Sequence, residues 1–151
     1  MVIVAVEGDD VQSLNFFAKH SKNRNKEIFS NCASLLSIES IPVTIPSIGS
    51  LSGGENGGII LLYGLGKWLK ENSDTSIKNF MTSVIKLRAR NLDLVYCGKH
   101  DEIPDRLMFI TDFKSTRNVY FVSIYNAISN EFVQRWNTLS DEVATKNDKG
   151  C

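Results

Sequence analysis

The stretch RLMFITDF (106–113), KSTR (114–117), NVYFVSIY (118–125) decides how this chain is read. Two apolar, β-branched and aromatic runs flank four polar residues, the pattern of a β-hairpin. It predicts an antiparallel pair near the carboxyl terminus. Beyond it, Ile128, Phe132, Val133, Trp136 and Leu139 recur at helical spacing, so a helix is expected from about Asn126. The polar TKNDKGC that closes the chain reads as a flexible tail over 144–151.

Upstream, VIVAVE (2–7), GGIILLYG (57–64) and LDLVYCG (92–98) are nearly continuous apolar runs, the signature of strands covered on both faces. Helices are expected between them. Val11, Leu14 and Phe17 mark one after Asp9 or Asp10, either of which could cap it. Ile28, Phe29, Cys32, Leu35 and Leu36 suggest another over 26–37. Leu65 to Glu71 reads as a helical turn. Ile77, Phe80, Met81, Val84, Ile85 and Leu87 give the strongest mid-chain helix, about 75–90, with Asp74 as its expected cap. Residues 40–58 hold two prolines and five glycines, which leaves room for an extended edge segment and a glycine loop.

The expected fold is therefore α/β. It has a single mixed β-sheet of about five strands, ending in the antiparallel hairpin and flanked by three or four helices. Residues 1–143 would form one domain, as suits a chain of 151 residues.

Composition excludes several classes. Seventeen basic residues balance seventeen acidic ones, so the overall excess of positive charge that drives phosphate-backbone binding is missing. Cys32, Cys97 and Cys151 are too few and too scattered for a disulfide framework, and they suit a reducing compartment. No run approaches the length of a membrane span, and MVIVAVEGDD has no basic leader. The expectation is a cytoplasmic or nuclear protein with no membrane insertion and no cofactor.

Three strings invite a functional reading. VEGDD sets Glu7, Asp9 and Asp10 at the end of the first strand, where α/β sheets gather ligands and where carboxylates could hold Mg²⁺. It resembles the start of the acidic metal-binding domain of topoisomerases and primases. That family places its Asp four residues after the Glu, whereas Asp10 follows Glu7 by three, and its later Asp-x-Asp pair is missing. LSGGE (51–55) resembles the signature loop of ABC-type ATPases, but no Walker loop accompanies it. Gly53 and Gly54 could still offer backbone amides to an anion. Cys97 and His100 lie too close in sequence for the usual Cys–His nucleophile, so a buried thiol is expected.

Two surfaces could serve partners. Residues 61–100 carry seven basic and three acidic side chains, and Lys86 and Arg90 fall on one helical face. Tyr125, Phe132 and Trp136 supply the residue types enriched at interface hot spots. The strand-hairpin-helix ending is similar in topology to small longin-type regulatory domains.

The leading expectation is a non-catalytic subunit or adaptor that assembles with a protein partner, forming a hetero-oligomer through Trp136, Phe132, Tyr125, Lys86 and Arg90. A second is a small Mg²⁺-dependent or nucleotide- or phosphate-binding enzyme using Glu7, Asp9, Asp10, Gly53 and Gly54. A third is accessory nucleic-acid binding through the basic 78–90 helix, inside a larger assembly.

Overall fold

The computed structural model describes residues 3–7, 11–32, 39–105, 107 and 113–115. Its strands are β1 (Ile3–Glu7), β2 (Glu27–Ser30), β3 (Ile41–Pro42), β4 (Gly58–Leu62), β5 (Leu92–Gly98) and β6 (Phe113–Ser115). Its α-helices are α1 (Val11–Asn23), α2 (Leu65–Glu71) and α3 (Asp74–Leu87). Short 3-10 turns cover Ile45–Ser50, Arg88–Arg90 and His100–Glu102. The six strands form one sheet in the order β3-β2-β4-β5-β1-β6.

Every neighbouring pair of strands is parallel. This corrects the mixed sheet and its carboxyl-terminal hairpin. Lys114 and Ser115, expected in the hairpin turn, lie in β6, which runs parallel to β1 with Val4 opposite Phe113. Leu107 of the RLMFITDF run is not strand either: its amide donates to the Pro104 carbonyl, a helical turn. The reason lies in the connection. A parallel pairing needs a crossover of a dozen or so residues, and 99–112 supplies it. Ile103 and Leu107 from that crossover are buried in the core. The short polar KSTR was a local signal that the long-range pairing overrides.

The expected helix over 26–37 is also corrected. Residues 27–30 are strand β2, and Ile28 and Phe29 point to opposite sides of the sheet. Ile28 joins the core under α1, whereas Phe29 joins the core under α3. Adjacent apolar residues suit a strand buried on both faces as well as a helix, and a run this short carries both readings. Residues 33–38, the final helix from Asn126 and the tail 144–151 lie outside the described residues.

The same alternation builds the two cores. Ile59 and Leu61 of β4 face α1 with Val6, Val95 and Cys97. Ile60 and Leu62 face the other way with Leu94, Tyr96, Phe80 and Val84. On the first side Leu14, Phe17 and Ala18 of α1 close the layer. On the second, Trp68 of α2 packs on Phe80 of α3 with ring centroids 5.8 Å apart.

Direction of travel explains this division. From β1 to β2 the chain crosses the sheet toward β3, through α1. From β4 to β5 it moves back toward β6, through α2 and α3 on the opposite face. Reversing both direction and face keeps one handedness of crossover, the constraint on parallel β-α-β units.

Local details set the helix ends. Ser73, rather than Asp74, caps α3: its Oγ accepts from the Ser76 amide at 3.3 Å, and Asp74 is the first helical residue. Gly64 begins α2 with φ of 71°, a left-handed conformation that glycine adopts without strain. At the end of β2 the chain leaves the sheet, yet the ladder gains one more rung. The Asn31 amide nitrogen donates to the Tyr63 carbonyl (2.9 Å), and its oxygen accepts from the Tyr63 amide (2.7 Å). A side chain thereby extends β-type pairing where backbone has run out. β3 forms an edge of the sheet at Ile41–Pro42, whereas Ile45 and Pro46 begin a 3-10 turn, and the Val43 amide just beyond β3 donates to the Ser30 carbonyl (3.1 Å).

Candidate functional site at the carboxyl edge

The parallel sheet gives all strands a common carboxyl edge. There Glu7 of β1 lies opposite Gly98 of β5. The chain leaves these neighbours toward different faces. From β1 it passes into α1, on one side. From β5 it passes through Ile103 and Leu107, which pack in the core on the other side. Neighbouring strands that diverge in this way leave a crevice outside their carboxyl ends, the usual ligand position in open α/β sheets.

Beside the end of β5 lies α2. Its first turn presses on the end of β5: a Cβ added at Gly98 would lie 3.0 Å from the Gly66 nitrogen, and one at Gly66 would lie 3.3 Å from the Gly98 Cα. Both positions need the missing side chain for this approach. The half-buried Glu102 brings its carboxylate over the same turn, with Oε2 2.8 Å from where a Gly66 Cβ would stand. A carboxylate beside the first turn of a helix complements its dipole. It also fills the corner an anion would use, so GLGK (64–67) is closed to phosphate at that point. Lys99 and Asp101 stand exposed beside it. Gly98 and Glu102 were not singled out from sequence, where KHDE read only as a turn.

The expected ligand residues do not gather in one place. Glu7 ends β1 at the carboxyl edge. Gly53 and Gly54 precede β4, at the amino edge, where Gly58 pairs with Glu27 and Leu92. Seven residues of β5 separate the two edges, roughly 20 Å at ~3.3 Å per step. Gly53 instead serves packing, whereas Gly54 is exposed with open space where a Cβ would stand. A Cβ on Gly53 would meet the Asn91 carbonyl oxygen at 2.2 Å. The Gly53 amide donates to Arg90 (2.9 Å) and the Gly58 amide to Asn91 (3.0 Å), binding the loop to the start of β5. Asp9 and Asp10 lie outside the described residues. Among the described residues no three His, Cys, Asp or Glu side chains converge as a metal group.

The expected basic face divides as well. Lys86 is exposed on α3, and beside it Ile85 keeps 60% of its surface in solvent. Arg90 turns inward: its guanidinium donates to the carbonyls of Gly49 and Leu51, clamping the 45–51 segment to the end of α3. Tyr125, Phe132 and Trp136 lie outside the described residues. Cys97 is fully buried, and neither it nor the buried Cys32 is in a disulfide.

One charged pair escaped the sequence reading. Lys26 Nζ lies 3.1 Å from Asp93 Oδ2, with side-chain exposures of 10% and 3%. The pair sits at the amino edge on the α1 side. The signal was an aspartate inside LDLVYCG, since a carboxylate in a doubly covered strand demands a partner. Among the described residues no helix is long and apolar enough to cross a membrane. No family model, curated protein or solved structure matches this chain.

Proposed function

We propose that the chain is a ligand-binding α/β domain whose site is the crevice at the carboxyl ends of β1 and β5. Its ligand is a divalent cation with a phosphate-bearing small molecule. The observation that carries this reading is the divergence of the two strands: Glu7 and Gly98 are neighbours, and the chain leaves them toward opposite faces. Glu7 ends β1 at that edge, Asp9 and Asp10 follow it in the sequence, and carboxylates are the hard oxygen donors Mg²⁺ prefers. Lys99 supplies a cation for the phosphate. Gly53 and Gly54 have no part in the site.

Paramagnetic Mn²⁺, standing in for Mg²⁺, tests this. Nuclear resonances of amides at 7–10 and 98–102 should broaden, and those at 53–58 should not. Glu7→Gln with Asp10→Asn should abolish the effect while thermal stability is retained. No localised broadening, or broadening centred on 53–58, would remove the proposal.

A second reading, an assembly subunit with a protein partner, is favoured by Ile85. This large apolar side chain is exposed next to Lys86 on the outer face of α3. Trp136, Phe132 and Tyr125 would add aromatic anchors. Ile85→Glu should then eliminate a stoichiometric partner in a native pull-down without lowering the melting temperature. A partner retained at full stoichiometry would argue against α3 as the interface.

A further inference from the structure

We infer that Asn56–Gly57 is a site of spontaneous covalent modification, an aspartyl and isoaspartyl switch in the amino-edge loop. It is the chain's only Asn-Gly step. Asn56 is exposed in a turn, and the buried Gly57 that follows it holds φ of 78°. That amide is loosely held, since its bond to the Gly54 carbonyl spans 3.4 Å, beyond the usual range. Two other asparagines are restrained. The Asn72 amide nitrogen donates to Trp68 (2.7 Å), and both ends of the Asn31 amide are bonded to Tyr63.

The chemistry needs only water. The Gly57 nitrogen loses its proton and attacks the Asn56 side-chain carbonyl carbon. Ammonia leaves, taking up that proton, and a five-membered succinimide forms. Water then opens either ring carbonyl, giving aspartate or isoaspartate. Nothing is oxidised or reduced.

The loop transmits the change. The Gly57 carbonyl accepts from the Glu27 amide (3.2 Å), and the Gly58 amide donates to Asn91 (3.0 Å). These bonds begin the β2-β4 and β4-β5 pairings. Isoaspartate adds a methylene to the main chain immediately before them, whereas aspartate adds only charge. The isoaspartyl form should therefore be less stable than an Asn56→Asp variant of equal charge. The proposed ligand site, at the opposite edge, is a separate matter.

The full-length folded protein, aged in mildly alkaline buffer and peptide-mapped by mass spectrometry, provides the test. Asn56 should convert before Asn31 or Asn72, with isoaspartate detected by enzymatic methylation. Asn56→Gln should eliminate the early product, and the purified isoaspartyl fraction should unfold at lower urea than Asn56→Asp. Conversion at Asn56 that requires prior unfolding, or that trails Asn72, would overturn the inference. Equal urea midpoints for the two forms would overturn the switch.

Discussion

Among the described residues, charged side chains tie down the amino edge of the sheet, whereas the carboxyl edge carries the neutral Asn31–Tyr63 rung and exposed charges beyond β5. At the amino edge Lys26 meets Asp93, Arg90 reaches back to Gly49 and Leu51, and Gly53 lies against Asn91. At the carboxyl edge Gly64 faces empty space, and Lys99 and Asp101 stand in solvent. The contrast teaches which glycines mean function. SGGENGG looks like a binding loop in sequence, yet its Gly53 packs against the Asn91 backbone. The sparser GLGKW and CGKHDE strings border the crevice.

Substitutions can break that contrast in order of effect. Asp93→Ala should cost most, about 3–5 kcal/mol, because it leaves the Lys26 ammonium buried without its carboxylate. Urea denaturation measures it, and adding Lys26→Met should restore part of the loss. Gly53→Ala should come next, at about 1–3 kcal/mol, since its methyl group would overlap backbone and cannot be relieved by a rotamer change. Gly64→Ala, at the other edge, has room for its Cβ and only the left-handed backbone to oppose it, roughly 1–2 kcal/mol. Smallest is Asp101→Asn, within about 0.5 kcal/mol as for an ordinary surface change. Its expected signature is weaker Mn²⁺ broadening at 98–102. If Gly64→Ala proved costlier than Gly53→Ala, the amino edge would not be the tied one.

The legibility of the fold followed the reach of each signal. β1, β4 and β5 were readable because continuous apolar runs of this length leave few alternatives, and α3 because its stripe repeats over fourteen residues. β2 was not, since Ile28 and Phe29 satisfy helical and doubly buried strand spacing alike. β6 was missed for a different reason. Lys114 and Ser115 look like turn residues, and only their pairing with Ala5 and Val6, more than a hundred positions earlier, makes them strand. Glu7 was readable as the end of a strand, which it is in β1. Gly98 and Glu102 were not, because their roles depend on α2 arriving from β4. Arg90 was read by its charge, while its bonds to Gly49 and Leu51 depend on a loop forty residues away that carries no basic or acidic cue.

Pro42 has a consequence for how these molecules coexist at high concentration. Along a strand successive amides point to alternate sides. The amide of Val43 points inward to Ser30, so the position of Pro42 is the outward one, and it has no hydrogen to offer. A neighbouring chain trying to add a strand beside β3 would find that rung missing on an edge only two residues long. Short, proline-bearing edges are a common defence against fibril growth. Pro42→Val would restore the donor beside the exposed Ile41, and the molecule would then present a template for polymerisation that the native edge withholds.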